Sequence, residues 1–384
     1  MNNEAINKLG SVFGDNLKNA AKKFISNQNN VIYISVIVFC LILFLIILAY
    51  VWTKINLEEN NCHRMDNLYS KFPLGWSSLD TKDNCHRLRD YYVKTAYNCC
   101  SAGNYKNDFV NLCALKNCIT QGVRCLDFEI YSVDNEPVIA VSDINSYNTK
   151  GSYNSIPFSD ALNIIEKHAF SASYCPNPDD PLIIYLRIMS KNNNIYTEMA
   201  KNIYDTLERR VLGKKYSYEN NGHNLGNEPI KNLMEKVIFI ADKSNALFEK
   251  TPLDEYINLA SNSAFMRSYR YNQIRNVNSI DDIVDYNKKN MTITLPDLGS
   301  SSNNPSPMLP MKFGCQFIAL SMQNFDVNLE AYINIFDEQG SAFVLKPENL
   351  RFVPVTINVP PEQKEDLSYA KRLLDLGYGI TYPY

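Results

Sequence analysis

Two acids, Asp127 and Glu129, stand one residue apart in the run Gly122-Val-Arg-Cys-Leu-Asp-Phe-Glu-Ile-Tyr-Ser. Alternate residues of a strand project to the same face, so the two carboxylates share one side of it. A second apolar run, Leu182-Ile-Ile-Tyr-Leu-Arg, ends on Arg187, and a third, Tyr91-Tyr-Val-Lys-Thr-Ala-Tyr, leads into Asn98. Acids that share one strand face can help to hold a cation such as calcium, which takes 6–8 oxygen ligands. A guanidinium among them repels a metal cation and pairs with the acids instead. Proton transfer near neutral pH calls for histidine, and the chain has four: His63, His86, His168 and His223. None falls at the end of an apolar run.

The elements that must hold these side chains alternate along the chain. Strand-like runs at Tyr91–Tyr97, Val123–Tyr131, Pro137–Val141, Leu182–Ile188, Lys236–Ala241, Met291–Leu295, Gln316–Met322 and Ala342–Lys346 are interleaved with amphipathic stretches such as Phe158–His168, Ile195–Val211 and Ile280–Lys288. Such alternation predicts an α/β fold of the (β/α)8 TIM-barrel type, whose strand ends build the functional mouth. The polar loops Ser217–Glu228 and Gly299–Pro307 read as flexible insertions.

The first run, with Glu136-Pro-Val-Ile-Ala-Val-Ser after it, resembles the X half of the phosphoinositide-specific phospholipases C. The blocks Met291-Thr-Ile-Thr-Leu-Pro, Gly314-Cys-Gln-Phe-Ile-Ala-Leu-Ser and Phe343-Val-Leu-Lys-Pro-Glu-Asn-Leu-Arg resemble its Y half, in order and with similar spacing, so the resemblance covers most of residues 91–352. It implies cleavage of a phosphodiester by two histidines and a calcium ion held by an Asn and carboxylates. Residue by residue, this chain departs from that. Tyr97 and Val141 stand at the two histidine positions. Asn98 keeps the calcium-ligand amide, Asp127 and Glu129 exchange the lengths of the carboxylate pair, and Arg187 replaces a calcium-binding Glu. Of the phosphate contacts only Ser268 aligns; Ile240, Asp242 and Ile293 replace basic residues. The expectation is a catalytically inactive barrel, with no catalytic residue intact and no metal, in which Asn98, Asp127, Glu129, Arg187 and Ser268 form a vestigial pocket. The alternative is an active phosphodiester hydrolase with an altered, calcium-independent site. A calcium cofactor remains open under that alternative.

Compartment is read from one segment. Val31–Trp52 is uncharged and apolar throughout, long enough as a helix to cross about 30 Å of hydrocarbon, and too long for the 7–15-residue apolar core of a signal peptide. Ahead of it, residues 1–30 place Ile6, Leu9, Phe13 and Leu17 at helical spacing, with Lys8, Lys18, Lys22 and Lys23 on other faces. The lysine excess on that side predicts a cytoplasmic N-terminus and a lumenal or external barrel. The expected organisation is therefore an amphipathic segment (1–30), a transmembrane anchor (31–53), a cysteine-containing juxtamembrane region (54–90), the barrel (91–352) and a tail (353–384).

The partners expected are the bilayer, an anionic or phosphoinositide ligand and a protein yet to be identified. A net charge of −3 gives no nucleic-acid signature. Cys62, Cys85, Cys99, Cys100, Cys113, Cys118 and Cys175 cluster mainly after the anchor, and a lumenal location invites disulfides. The repeated Asn61-Cys-His-Arg and Asn84-Cys-His-Arg favour a Cys62–Cys85 bridge over a zinc site, whose ligand spacing they lack.

Overall fold

The computed structural model describes residues 28–79, 86–147, 149–354 and 371–384, with scattered positions between 14 and 23. Eight parallel strands form a nearly closed barrel: β1 (Tyr91–Ala96), β2 (Cys125–Val133), β3 (Leu182–Ile188), β4 (Val237–Asp242), β5 (Ile257–Ser261), β6 (Met266–Arg270), β7 (Met291–Leu295) and β8 (Phe317–Leu320). The strands pair in the order β5-β4-β3-β2-β1-β8-β7-β6, and the ring lacks ladder hydrogen bonds between β5 and β6. Strands β1 to β4 and β7 to β8 are buried along almost their whole length, as expected of parallel strands covered by helices on the outside.

All eight expected strand-like runs contain strands, but two of these lie outside the ring. Pro137–Val141 contributes Glu136–Ile139, an antiparallel hairpin partner of β2, and Ala342–Lys346 contributes Phe343–Leu345, which lies antiparallel to β1. Their places in the ring are taken by β5 and β6. The sequence of β6, Met-Arg-Ser-Tyr-Arg, is polar on both faces, because Ser268 and Arg270 face the barrel mouth while Arg267 stacks 3.7 Å over the Tyr286 ring on a neighbouring helix. Apolar runs therefore could not reveal it. The segment Ser217–Glu228 is also less loose than expected, since Ser217, Asn220, Leu225 and Gly226 are buried.

Ahead of the barrel, α1 (Gln28–Ile55) is the long apolar helix, and its side chains from Ile32 onward are almost all exposed. An apolar helix with no covering partner is one that could span a membrane, although a signal sequence passes the same test of length and composition. It runs at Asn56 into α2 (Leu57–Leu68), which is tied to the barrel at several points. Glu58 accepts from Asn111 (2.7 Å), Asn61 donates to Asp108 (2.9 Å), and Asp66 accepts from Asn117 (2.7 Å). A disulfide joins Cys62 to Cys113 on α3 (Leu112–Thr120). Cys62 therefore does not pair with Cys85, which lies outside the described residues; α3 packs directly on α2, and that contact brings a more distant thiol within reach. Cys99, Cys100, Cys118, Cys125, Cys175 and Cys315 are reduced and buried.

A second compact unit, Phe352–Tyr384, contains a two-stranded antiparallel hairpin of Leu373–Asp375 with Thr381–Pro383.

The bridge closes a loop of 51 residues. Replacing Cys62 and Cys113 together by serine is expected to cost about 2–4 kcal/mol and to lower the melting temperature of the full chain by several degrees. The same loss should follow from reduction of the wild type, with no further loss on reducing the variant.

Candidate functional site at the barrel mouth

The mouth is built where β1, β2, β3 and β6 end. In β2, Asp127 and Glu129 point inward, while Phe128 between them packs in the core on the other face. The parallel register sets Asp127 beside Tyr185 and Glu129 beside Arg187. After β1 the chain turns through Asn98, whose left-handed φ of 46° suits asparagine better than most residues and aims its backbone N–H at Asp127 Oδ2 (2.8 Å).

Arg187 occupies the centre of this arrangement. Its Nε donates to Asp127 Oδ1 (2.8 Å) and its Nη2 to Asp127 Oδ2 (2.9 Å), a bidentate pair. The same Nη2 donates to Asn98 Oδ1 (2.7 Å), and Nη1 lies 3.4 Å from Glu129 Oε2. The ring of Tyr97 closes over the guanidinium carbon at 4.8 Å. Arg187, Asp127 and Glu129 retain 5%, 0% and 3% of their side-chain exposure, so the group is almost dry.

Burial decides the electrostatics. It pushes the Glu129 carboxyl above its ordinary value, with Arg187 and a hydrogen bond from Tyr131 (2.7 Å) offsetting only part of the penalty. For Arg187, burial works against the charge, but Asp127, Tyr97 and Glu129 outweigh it and hold the guanidinium protonated well above its usual range.

A cavity of about 350 Å³ opens outside this cluster, lined by Arg187, Asp242, Asn245, Asn262, Ser268, Arg270 and Gln273 among others. Arg187 is the only member of the buried cluster to reach it; Asn98, Asp127 and Glu129 lie behind. Ser268 lines the cavity and receives a long hydrogen bond from Tyr185 (3.4 Å). Val141 is buried away from the cavity wall, and its carbonyl accepts from Gly151 (2.7 Å) and Ser152 (3.1 Å). Asp143, two residues on, is paired with Lys106 at 3.0 Å.

The four histidines stand elsewhere. His63 pairs with Glu59, His86 lies edge-on to Tyr91, His168 stacks on Tyr174, and His223 bonds backbone carbonyls of its own loop. Among the described residues, no group of three or more His, Cys, Asp or Glu side chains is placed to hold a metal ion.

One mouth residue went unread in the sequence. Arg270 reaches from β6 to donate to Tyr97 Oη (3.0 Å) and to the carbonyl of Pro296 (2.8 Å). Its signal was available, since it stands two residues beyond Ser268 and so shares its face of the strand.

A parallel, helix-covered barrel with acids, an amide and a cation gathered at the carboxyl ends of its strands defines a (β/α)8-type protein whose candidate site lies at the strand-end mouth. Two family models specify it further: the phosphatidylinositol-specific phospholipase C X domain matches residues 85–243 and the Y domain matches residues 245–349. The chain belongs to the phosphatidylinositol-specific phospholipase C X/Y family. Among solved structures, L. pealei PLC21 is similar, with a TM-score of 0.58 and 19% identity over 69% of this chain and 38% of its own. S. officinalis PLC21 gives 0.56 and 19% over the same shares. The chain thus spans well under half the length of either relative, and at this identity the likeness concerns the fold. A calcium-dependent enzyme from Streptomyces antibioticus matches more loosely, with a TM-score of 0.42 and 11% identity over 68% of this chain and 99% of its own.

Two outcomes test the cluster. Arg187→Met strands a buried carboxylate and is expected to cost about 3–5 kcal/mol in urea unfolding, while Arg187→Met with Asp127→Leu recovers most of that loss. Because the folded-state pKa of Glu129 is raised, its favourable contribution is fully present below the unfolded value and is lost as pH rises through the folded one. Glu129→Gln should therefore gain stability relative to wild type between pH 4.5 and pH 8; a constant difference across that range would refute the assignment.

Proposed function

We propose that this chain is a membrane-anchored member of its family that has lost phosphodiester cleavage and acts as a binding or structural module at a bilayer. One observation carries the reading: the Arg187 guanidinium sits among Asn98 Oδ1, both oxygens of Asp127 and Glu129 Oε2, where a metal cation would need them. The donor set does not fit calcium, because Arg187 already takes these oxygens and its fixed positive charge stands at their centre. Proton transfer fails independently. Tyr97 hydrogen-bonds to Arg270 and is buried, and Val141 has no titratable group. Loss of a general acid alone costs typically 10²–10⁴-fold in rate.

What the mouth retains is recognition. Arg270 spends its hydrogen bonds on neutral acceptors, unlike Arg187, so its charge is available to an anion entering beside Ser268. Asp242 on the same wall opposes a multiply charged ligand, which favours a singly phosphorylated polyol over a polyphosphate.

Anchoring rests on α1, and a barrel in an oxidising lumen or exterior is supported by the Cys62–Cys113 bridge together with the lysines that precede the helix. A second reading, an active hydrolase in which Arg187 replaces the metal, is favoured by the intact contact between Arg187 and Asp127.

The full chain in detergent, offered phosphatidylinositol and its phosphates with and without calcium, is expected to show no turnover, and calorimetry should show no tight calcium site. Hydrolysis abolished by Asp127→Asn or Arg187→Ala would establish the second reading instead. Inositol monophosphate should bind weakly, and Arg270→Gln should reduce that binding by about tenfold, the equivalent of one charge-assisted hydrogen bond. Protease protection in sealed vesicles decides the side on which the barrel lies.

A further inference from the structure

A second cavity, about 720 Å³, is separate from the mouth cavity and is formed between α2 and the loops that follow β1, β7 and β8. On one side stand Leu57, Arg64 and Leu68, spaced 7 and then 4 residues apart and so on one face of α2. Opposite them the wall is amide and hydroxyl: Asn104, Ser302 and Asn303. Phe325, half exposed, adds an apolar edge.

Three features make this a built groove. First, α2 is held in place by the disulfide and by its bonds to Asn111, Asp108 and Asn117, so the separation of the walls is fixed. Secondly, the groove begins beside the end of α1. Lys54, in the last turn of α1, donates to the carbonyl of Asn107 (3.3 Å) and lies over the Tyr153 ring at 5.6 Å, so the loop that forms the groove wall is fastened to the end of that helix. Thirdly, the charges are sorted. The carboxylate of Asp108 is taken up by Asn61, Asn104 N–H and Phe109 N–H, while Glu58 and Asp66 bond away to Asn111 and Asn117. Arg64 has no charged partner among the described residues.

We propose that this groove binds the phosphate-bearing headgroup of an anionic phospholipid, drawn from the membrane that α1 spans; the inference rests on that reading of α1. Leu57 lies about 3 Å of helix rise beyond Ile55. The groove therefore starts within the headgroup layer, which is roughly 5–7 Å deep on each side of the hydrocarbon. Helical side chains tilt toward the N-terminus of their helix, which for α2 is the membrane side, so Arg64 leans back toward the phosphate plane. Its guanidinium pairs with the phosphate, the amides and hydroxyls opposite satisfy the polar headgroup, and Leu57, on the membrane side of Arg64, covers the glycerol end. A volume of this size matches a small-molecule site.

Native mass spectrometry of the detergent-purified full chain, titrated with short-chain phosphatidylserine, should show one bound lipid per chain. Arg64→Gln should weaken that binding by about tenfold. Lys201→Gln, on an outer helix and of equal charge change, should leave it unaltered. Hydrogen exchange should slow over residues 57–68 and 301–303 when the lipid is added. Equal retention of short-chain phosphatidylcholine, unchanged binding by Arg64→Gln, or binding lost with Arg270→Gln instead would each overturn the site. Carbonate extraction separates this from the anchor: a chain that stays in the membrane pellet and binds no lipid refutes the groove alone. If carbonate releases the chain, the span is refuted and with it the membrane source, and the titration still decides whether the groove binds the headgroup.

Discussion

The bidentate pair between Arg187 and Asp127 is the contact on which the mouth depends. Both groups are nearly dry, and a buried charge is tolerated only when it is matched and hydrogen-bonded. Everything around the pair serves that match. The turn at Asn98 turns its N–H and its side-chain oxygen toward the pair, Tyr97 covers the guanidinium, and Glu129, which accepts from Tyr131, lies 3.4 Å from Arg187 Nη1. A buried pair replaced by apolar residues is often no less stable, so the pair is weak evidence of a gain in stability. Its consequence is positional: it fixes the ends of β1, β2 and β3 against one another and seals the acids from the cavity outside.

That seal explains why the site was legible from spacing while its shape was not. Two acids at alternate positions of a strand, with a cation at the end of its neighbour, already imply contact if the strands are parallel and in register, and they are. Spacing says nothing about which member faces solvent. Only the folded barrel shows that Arg187, alone of the buried cluster, lines the cavity and that Arg270 joins it from across the ring. Arg270 escaped because its strand has no apolar face of its own; it is held by β7 along one edge and by cation–π packing behind.

The fold was readable where periodicity and burial agree. Buried parallel strands are near-continuous apolar runs, and β1 to β4 were visible as such. Two further apolar runs are also strands but lie outside the ring, because an antiparallel partner at the barrel's edge looks the same in sequence as a ring strand: Glu136–Ile139 pairs with β2 and Phe343–Leu345 with β1 without closing the sheet. The disulfide was misread for a different reason. Repeated local motifs report similarity, whereas a bridge requires two thiols to be brought together, and the packing of α3 on α2 determined that.

The position of α2 links these observations. In a simple tether, the residues after a span need only be long enough to free the domain that follows. The residues after α1 form a helix with a disulfide and three side-chain hydrogen bonds to the barrel, and Lys54 fastens the end of α1 to the loop leaving β1. That loop begins at Asn98, the residue that holds Asp127 and Arg187. The strand end that builds the mouth and the segment that meets α1 are therefore one continuous stretch of chain, Tyr97 to Asn111. The fastening of α1 at Asn107 and the hold on the Arg187–Asp127 pair at Asn98 are therefore made by one loop, ten residues apart or fewer along the chain.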